Sequence, residues 1–194
     1  MGHETPTSEE SMPRTVYALL VGIDKYPASI RPLNGCVNDI QRVQTLLADR
    51  IGRAGDRFEP LLLLDNNATR QAVIDGFRQH LRKATQDDVA LFYYSGYGSQ
   101  EQSPPQFWYL EPDRLDETLV CWDSRLEDGW DLADKELAQL IAEVAANGPH
   151  IAVILDCCHS VSGTRAPEER VGVRRVPTDE WLGPSIASSS PSSR

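Results

Sequence analysis

Residues 15–23 read TVYALLVGI, an apolar, β-branched run that stops at Asp24 and, shortly after, at Pro27. Such a run bounded by turn formers is the pattern of a buried strand. Working outward, residues 34–50 place Val37, Ile40, Val43, Leu46 and Leu47 on one stripe, which predicts a helix. A second strand over residues 58–64 ends at Asp65. Thr69 is set to cap the next helix, whose inward face is Val73, Ile74, Phe77 and Leu81. Residues 88–94, DVALFYY, give a third strand that halts at Ser95-Gly96. Residues 101–130 are less regular, with short strand candidates at Phe107–Leu110 and Thr118–Trp122. Asp131 is the expected cap of a helix that turns Leu137, Leu140, Ile141 and Val144 inward and releases at Gly148. Residues 150–155, HIAVIL, are the last strong strand.

Strands alternating with helices in this way predict an α/β domain with a parallel sheet and helices on both faces. In such sheets ligands and chemistry gather beyond the carboxyl ends of the strands. Four places are therefore singled out: Gly22 to Asp24, Asp65 to Asn67, Ser95 to Gln100, and Asp156 to Ser160.

With 194 residues, 40% of them hydrophobic, the chain suits one globular domain. A formal net charge of −10 argues against a general nucleic-acid or anionic-membrane binder. The four cysteines (Cys36, Cys121, Cys157, Cys158) are too scattered for a disulfide scaffold. No apolar signal region precedes the first strand and no apolar run could span a bilayer, so a reducing, cytoplasmic setting is expected. Residues 1–13 read as a disordered leader, 14–163 as the folded domain, and 164–194 as a flexible tail rich in Arg, Pro and Ser.

Two of the four strand tips carry unusual clusters. Asp156-Cys157-Cys158-His159-Ser160 puts a thiol at a strand end beside backbone amides, surroundings that favour a reactive thiolate. A cysteine there also suits a small buried hydrophobe. Tyr94-Ser95-Gly96-Tyr97-Gly98-Ser99-Gln100 sets glycines on either side of one bulky residue, which lets the backbone turn sharply and present it at the sheet end. By itself this is an ordinary glycine-rich turn.

Taken together, the two clusters resemble the metacaspase and bacterial caspase-like family. That family holds its catalytic histidine in a Y-S-G-H-G-S-Q stretch and its nucleophile in D-(S or C)-C-H-S. Order, strand context and a separation of about 60 residues agree. Asn34-Gly35-Cys36-Val37-Asn38-Asp39 resembles the family's G-C-x-N-D segment, and the opening ALLVGIDKY is similar too. The resemblance covers roughly residues 15–163.

It implies a caspase-like three-layer sandwich with a mainly parallel central sheet, and cysteine endopeptidase chemistry. Cys158 then corresponds to the nucleophile, and Cys36, Asp39, Ser95 and Asp156 to the S1 pocket. Two carboxylates there suit an Arg or Lys of a protein or peptide substrate at P1, Arg gaining from bidentate geometry. No cofactor is required for the chemistry, but many metacaspases need calcium. Residues 111–136 are rich in carboxylates, among them Asp113, Asp131 and Asp134, although no EF-hand spacing is present and a solvated acidic loop is the simpler reading.

One departure bears on catalysis: the histidine position is Tyr97. A phenol titrates near 10, against about 6.5 for imidazole, so at neutral pH it is a poor acceptor for a thiol proton. Other histidines are badly placed. His159 neighbours Cys158 but leaves the strand on the opposite side, and His150 is eight residues from it, on the order of 25 Å. His80 lies on a helix and His3 in the leader. Losing a positioned base costs about a hundred- to ten-thousand-fold in rate. Two functions stay open: an impaired endopeptidase, or a pseudoprotease that binds basic peptides or partner domains.

A second departure is length. Family members carry further strands after the nucleophile, whereas about 34 residues follow Ser160 here, so a small-subunit-like or regulatory partner is expected. Arg165, Arg170, Arg174 and Arg175 fit either a processing site or a basic tail. A phosphate-binding domain is disfavoured, for the chain has no G-x-x-x-x-G-K-(S/T) loop.

Overall fold

The structure, a computed structural model, describes residues 13–27, 30–102 and 115–157. The strand expected at Phe107–Leu110, Asp113, Cys158, His159 and the 164–194 tail lie outside the described residues, as does most of the leader.

The central sheet is parallel throughout, in the order β2-β1-β3-β7, with β1 spanning Thr15–Gly22, β2 Arg57–Leu64, β3 Val89–Ser95 and β7 His150–Asp156. The apolar run that opens the domain is β1, and its near-continuous hydrophobicity has a plain cause. Leu19 and Val21 enter one core with Phe77, Leu81, Phe92, Leu140 and Val144, while Ala18 and Leu20 meet Ile40 in a second. Both faces are covered, so the buried part of β1, residues 18–22, leaves no place for a polar side chain. Each fully buried Leu or Val there contributes about 1.5–3 kcal/mol.

Helix α1 (Cys36–Arg53) covers one face. On the other face lie α2 (Arg70–Asp75), which runs on through a π turn and a 3-10 turn to Lys83, and α3 (Asp134–Ala145). Three layers result, the α/β sandwich expected. The Thr69 hydroxyl accepts from the Ala72 N–H at 3.2 Å, so the expected cap is in place.

The stretch after β3 holds what sequence reading missed: a small antiparallel sheet of β4 (Gly98–Gln102), β5 (Leu115–Leu119) and β6 (Leu132–Ala133). It corrects two expectations. The strand placed at Thr118–Trp122 begins and ends earlier, because the Val120 N–H turns to the Tyr97 carbonyl (3.0 Å) and the Trp122 N–H to the Ala68 carbonyl (2.9 Å). Asp131 does not cap the helix. Leu132 and Ala133 pair with β5, so α3 starts only at Asp134, and the Glu136 carboxylate accepts from the Ala133 N–H at 3.3 Å. Asp131 is buried and accepts from Arg125 (2.6 and 2.9 Å) and from the Thr118 hydroxyl (2.9 Å).

Strand β7 lies at the end of the sheet order, paired with β3 among the described residues. Its Val153, Ile154 and Leu155 are 38–47% exposed.

Candidate active site

Strand register lines up the carboxyl ends. Gly22 of β1 faces Leu64 of β2 on one side and Ser95 of β3 on the other, and Ser95 faces Asp156 of β7. Ser95 is fully buried, and its hydroxyl donates to Asp156 Oδ2 at 2.9 Å. Two residues singled out from the sequence are thus directly joined.

Cys36 and Asp39 reach the same end from the first turn of α1. What aims that turn is a chain of carboxylates the sequence reading did not assign. Asp65, at the tip of β2, accepts from the N–H groups of Asp24 (2.8 Å) and Lys25 (2.9 Å). Asp24 in turn accepts from Cys36 N–H (2.9 Å) and Val37 N–H (3.2 Å), satisfying donors that a helix N-terminus otherwise leaves open. Close approach completes the seating: a Cβ on Gly22 would stand 2.8 Å from Ile40 Cγ1 and 3.1 Å from the Cys36 carbonyl oxygen. Cys36 is fully buried and Asp39 half-buried, so of the two the carboxylate is the group open to solvent.

Tyr97 follows Ser95 by one glycine and is buried, 6% exposed, with its ring centroid 5.3 Å from that of Tyr26. Burial raises its phenol above the ordinary value of 10; the nearby Arg31 guanidinium opposes that shift and Cys36 adds to it. Position 97 therefore carries a protonated hydroxyl at neutral pH. It can donate a hydrogen bond but is a poor proton acceptor.

Cys157, the last described residue, is half-buried and packs against the larger core cluster.

The two described candidates for a metal are not brought to one site. Both carboxylate oxygens of Asp131 are taken by Arg125, and Asp134 is exposed beside Lys135. Among the described residues no group of three or more His, Cys, Asp or Glu side chains could hold a metal ion. No described helix is long and apolar enough to cross a membrane.

A parallel α/β sheet whose strand tips gather Ser95, Asp156, the start of α1 and a glycine-flanked turn defines a class of α/β domain with its candidate site at the carboxyl ends of the strands. The comparisons make the class specific. Residues 17–167 match the family model described as "Metacaspase, peptidase C14 domain", and the chain belongs to that family. It is 29% identical over 158 residues to Metacaspase-7 of Arabidopsis thaliana, covering 80% of this chain and 37% of that protein. It is also 29% identical over 150 residues to Metacaspase-1 of Schizosaccharomyces pombe, covering 74% of this chain and 33% of that one. The crystal structure of protein GSU0716 from Geobacter sulfurreducens superposes with a TM-score of 0.61 at 29% identity, covering 77% of this chain and 52% of that chain. The matched region spans about a third of the length of these curated relatives. The family is one of caspase-like cysteine peptidase domains.

Proposed function

We propose that the domain recognises a basic residue, Arg or Lys, at P1, and that Cys158 is its nucleophile, impaired because Tyr97 stands where the general base is needed. The observation that carries this reading is the joined pair Ser95–Asp156 at the strand tips, with Asp39 of α1 arriving from the neighbouring strand end. A guanidinium entering between two carboxylates gains charge-assisted hydrogen bonds in a partly desolvated place. Cys157 packs against the core, which favours the next residue, Cys158, as the reacting thiol.

A second reading has its own support. Tyr97 is buried and its phenol is raised in pKa, so the native chain has no base at that position. A domain that keeps the carboxylates and lacks the base is suited to holding a basic peptide or a partner domain without cutting it. Calcium belongs to the proposal as an activator only.

The test is hydrolysis of Arg-, Lys- and Asp-terminated fluorogenic peptides by the parent, Tyr97→His, and Tyr97→His with Cys158→Ala, with and without calcium. Expected is a gain of about a hundredfold or more in kcat/KM on Arg peptides with Tyr97→His, abolished by Cys158→Ala. Cys158-dependent cleavage by the parent at the level of the Tyr97→His variant would dismiss the impairment. A preference for Asp peptides would dismiss the pocket.

A further inference from the structure

The turn that carries position 97 has glycine on both sides, which leaves the backbone free to wander unless something holds it. Two tyrosines converge on it from different elements. The Tyr26 hydroxyl, from the loop after β1, accepts from the Tyr97 N–H at 3.0 Å and donates to the Val120 carbonyl at 3.2 Å. The Tyr94 hydroxyl, from β3, lies 2.7 Å from the Tyr97 carbonyl and 2.9 Å from the Val120 carbonyl, sharing its proton between them. The Val120 N–H also donates to the Tyr97 carbonyl, and the two hydroxyls stand 3.4 Å apart.

Both backbone groups of residue 97 are thus held by hydroxyls buried in the core, which burial keeps protonated. Gly96 is what lets them converge: a Cβ there would sit 2.6 Å from the Tyr94 hydroxyl and 2.7 Å from that of Tyr26.

We infer that Tyr26 is a positioning residue: its hydroxyl fixes the backbone of residue 97, and so aims whatever side chain stands there at the strand-tip cluster. The clamp grips the main chain, so its two hydrogen bonds do not depend on whether position 97 carries a phenol or an imidazole. The functional part of this inference rests on the peptidase reading above; the structural part does not. Tyr26 and Tyr94 had no role in the sequence reading, where the only signal was a pair of tyrosines in the two segments that resemble the family.

Tyr26→Phe keeps the ring and removes the hydroxyl. In the parent, hydrogen exchange followed residue by residue is expected to show the Tyr97 amide exchanging about tenfold faster, while the amides of β1 keep their protection. In the Tyr97→His background, the same substitution is expected to lower kcat on Arg peptides by about five- to tenfold with KM little changed, because the base and not the pocket is misdirected. Tyr94→Phe serves as the companion variant acting on the carbonyl side. An unchanged Tyr97 amide in Tyr26→Phe overturns the clamp outright. Faster exchange with unchanged kcat overturns its positioning role. Should Tyr97→His itself lack activity, the peptidase reading falls, and the exchange result alone decides the clamp.

Discussion

Glu101 offers a measurement that probes the floor of the small sheet next to the candidate site. In the β4–β5 ladder it stands directly opposite Asp116, an arrangement in which like charges oppose pairing. Burial pushes its carboxyl up to about 7 from 4.5, helped by the charges of Asp131, Asp116 and Glu136 and opposed by Arg125. Those neighbours already hold cations of their own: Asp131 has Arg125, Asp116 has Lys135 and Glu136 has Arg70. A carboxyl that binds its proton more tightly when folded favours the native state at low pH. The penalty for ionising it appears as pH rises from about 4.5 and is complete above about 7. At about 1.4 kcal/mol per tenfold change, the full difference would be about 3 kcal/mol. Glu101 is only partly buried, so screening by water reduces this to about 1–2 kcal/mol. Glu101→Gln is therefore expected to match the parent near pH 4 and to exceed its unfolding free energy by about 1–2 kcal/mol at pH 8. Urea unfolding at pH 4, 5, 6, 7 and 8, read by fluorescence, measures the difference. A gap between the two proteins that stays constant across that range would refute the reasoning, whatever its size.

Two further predictions test the local geometry. Gly96→Ala forces a methyl against both tyrosine hydroxyls and is expected to cost about 1–3 kcal/mol, seen as a lower melting temperature. Adding Tyr26→Phe should recover part of that loss, and strictly additive costs would show that the crowding lies elsewhere. Asp24→Ala removes the acceptor for the first amides of α1 and is expected to cost about 1 kcal/mol in urea unfolding. It should also weaken calorimetric binding of an Arg peptide, because Cys36 and Asp39 sit on that turn; unchanged binding would detach α1 from the pocket.

The main sheet was legible because its physics is simple. Strands covered on both faces, such as β1 and β3, must be apolar through their middle residues, and that shows as an unbroken run. Thr69 was legible for a similar reason, since a hydroxyl before a helix has one obvious use. The small sheet hid because it inverts the usual pattern. Ser99, Gln100, Asp116 and Thr118 are buried polar residues, with Arg125, Lys135 and Asp131 meeting Ser99, Asp116 and Thr118, while Leu119 and Leu132 carry the sheet's share of the apolar core. No hydrophobic alternation announces such strands. Asp131 misled for the same reason: an Asp ahead of an apolar stripe resembles a cap, but the half-buried Arg125 had the stronger claim on it. At the candidate site, the residues at strand tips could be picked out by position, whereas the clamp on residue 97 depends on hydroxyls meeting across 68 and more residues of chain.

The place of β7 in the sheet gives the strand tips unequal rigidity. Gly22 and Ser95 end strands gripped by neighbours on both sides, while Asp156 ends one that, among the described residues, is gripped by β3 alone. Fluctuations that peel β7 from its single neighbour would carry Asp156 away from Ser95 and leave the turn at position 97 standing. A basic ligand bridging Asp39 and Asp156 would act as a rivet on that loose edge. Its affinity would then be paid down by the work of keeping β7 docked, so that anything stiffening β7 from outside would tighten ligand binding without touching the ligand.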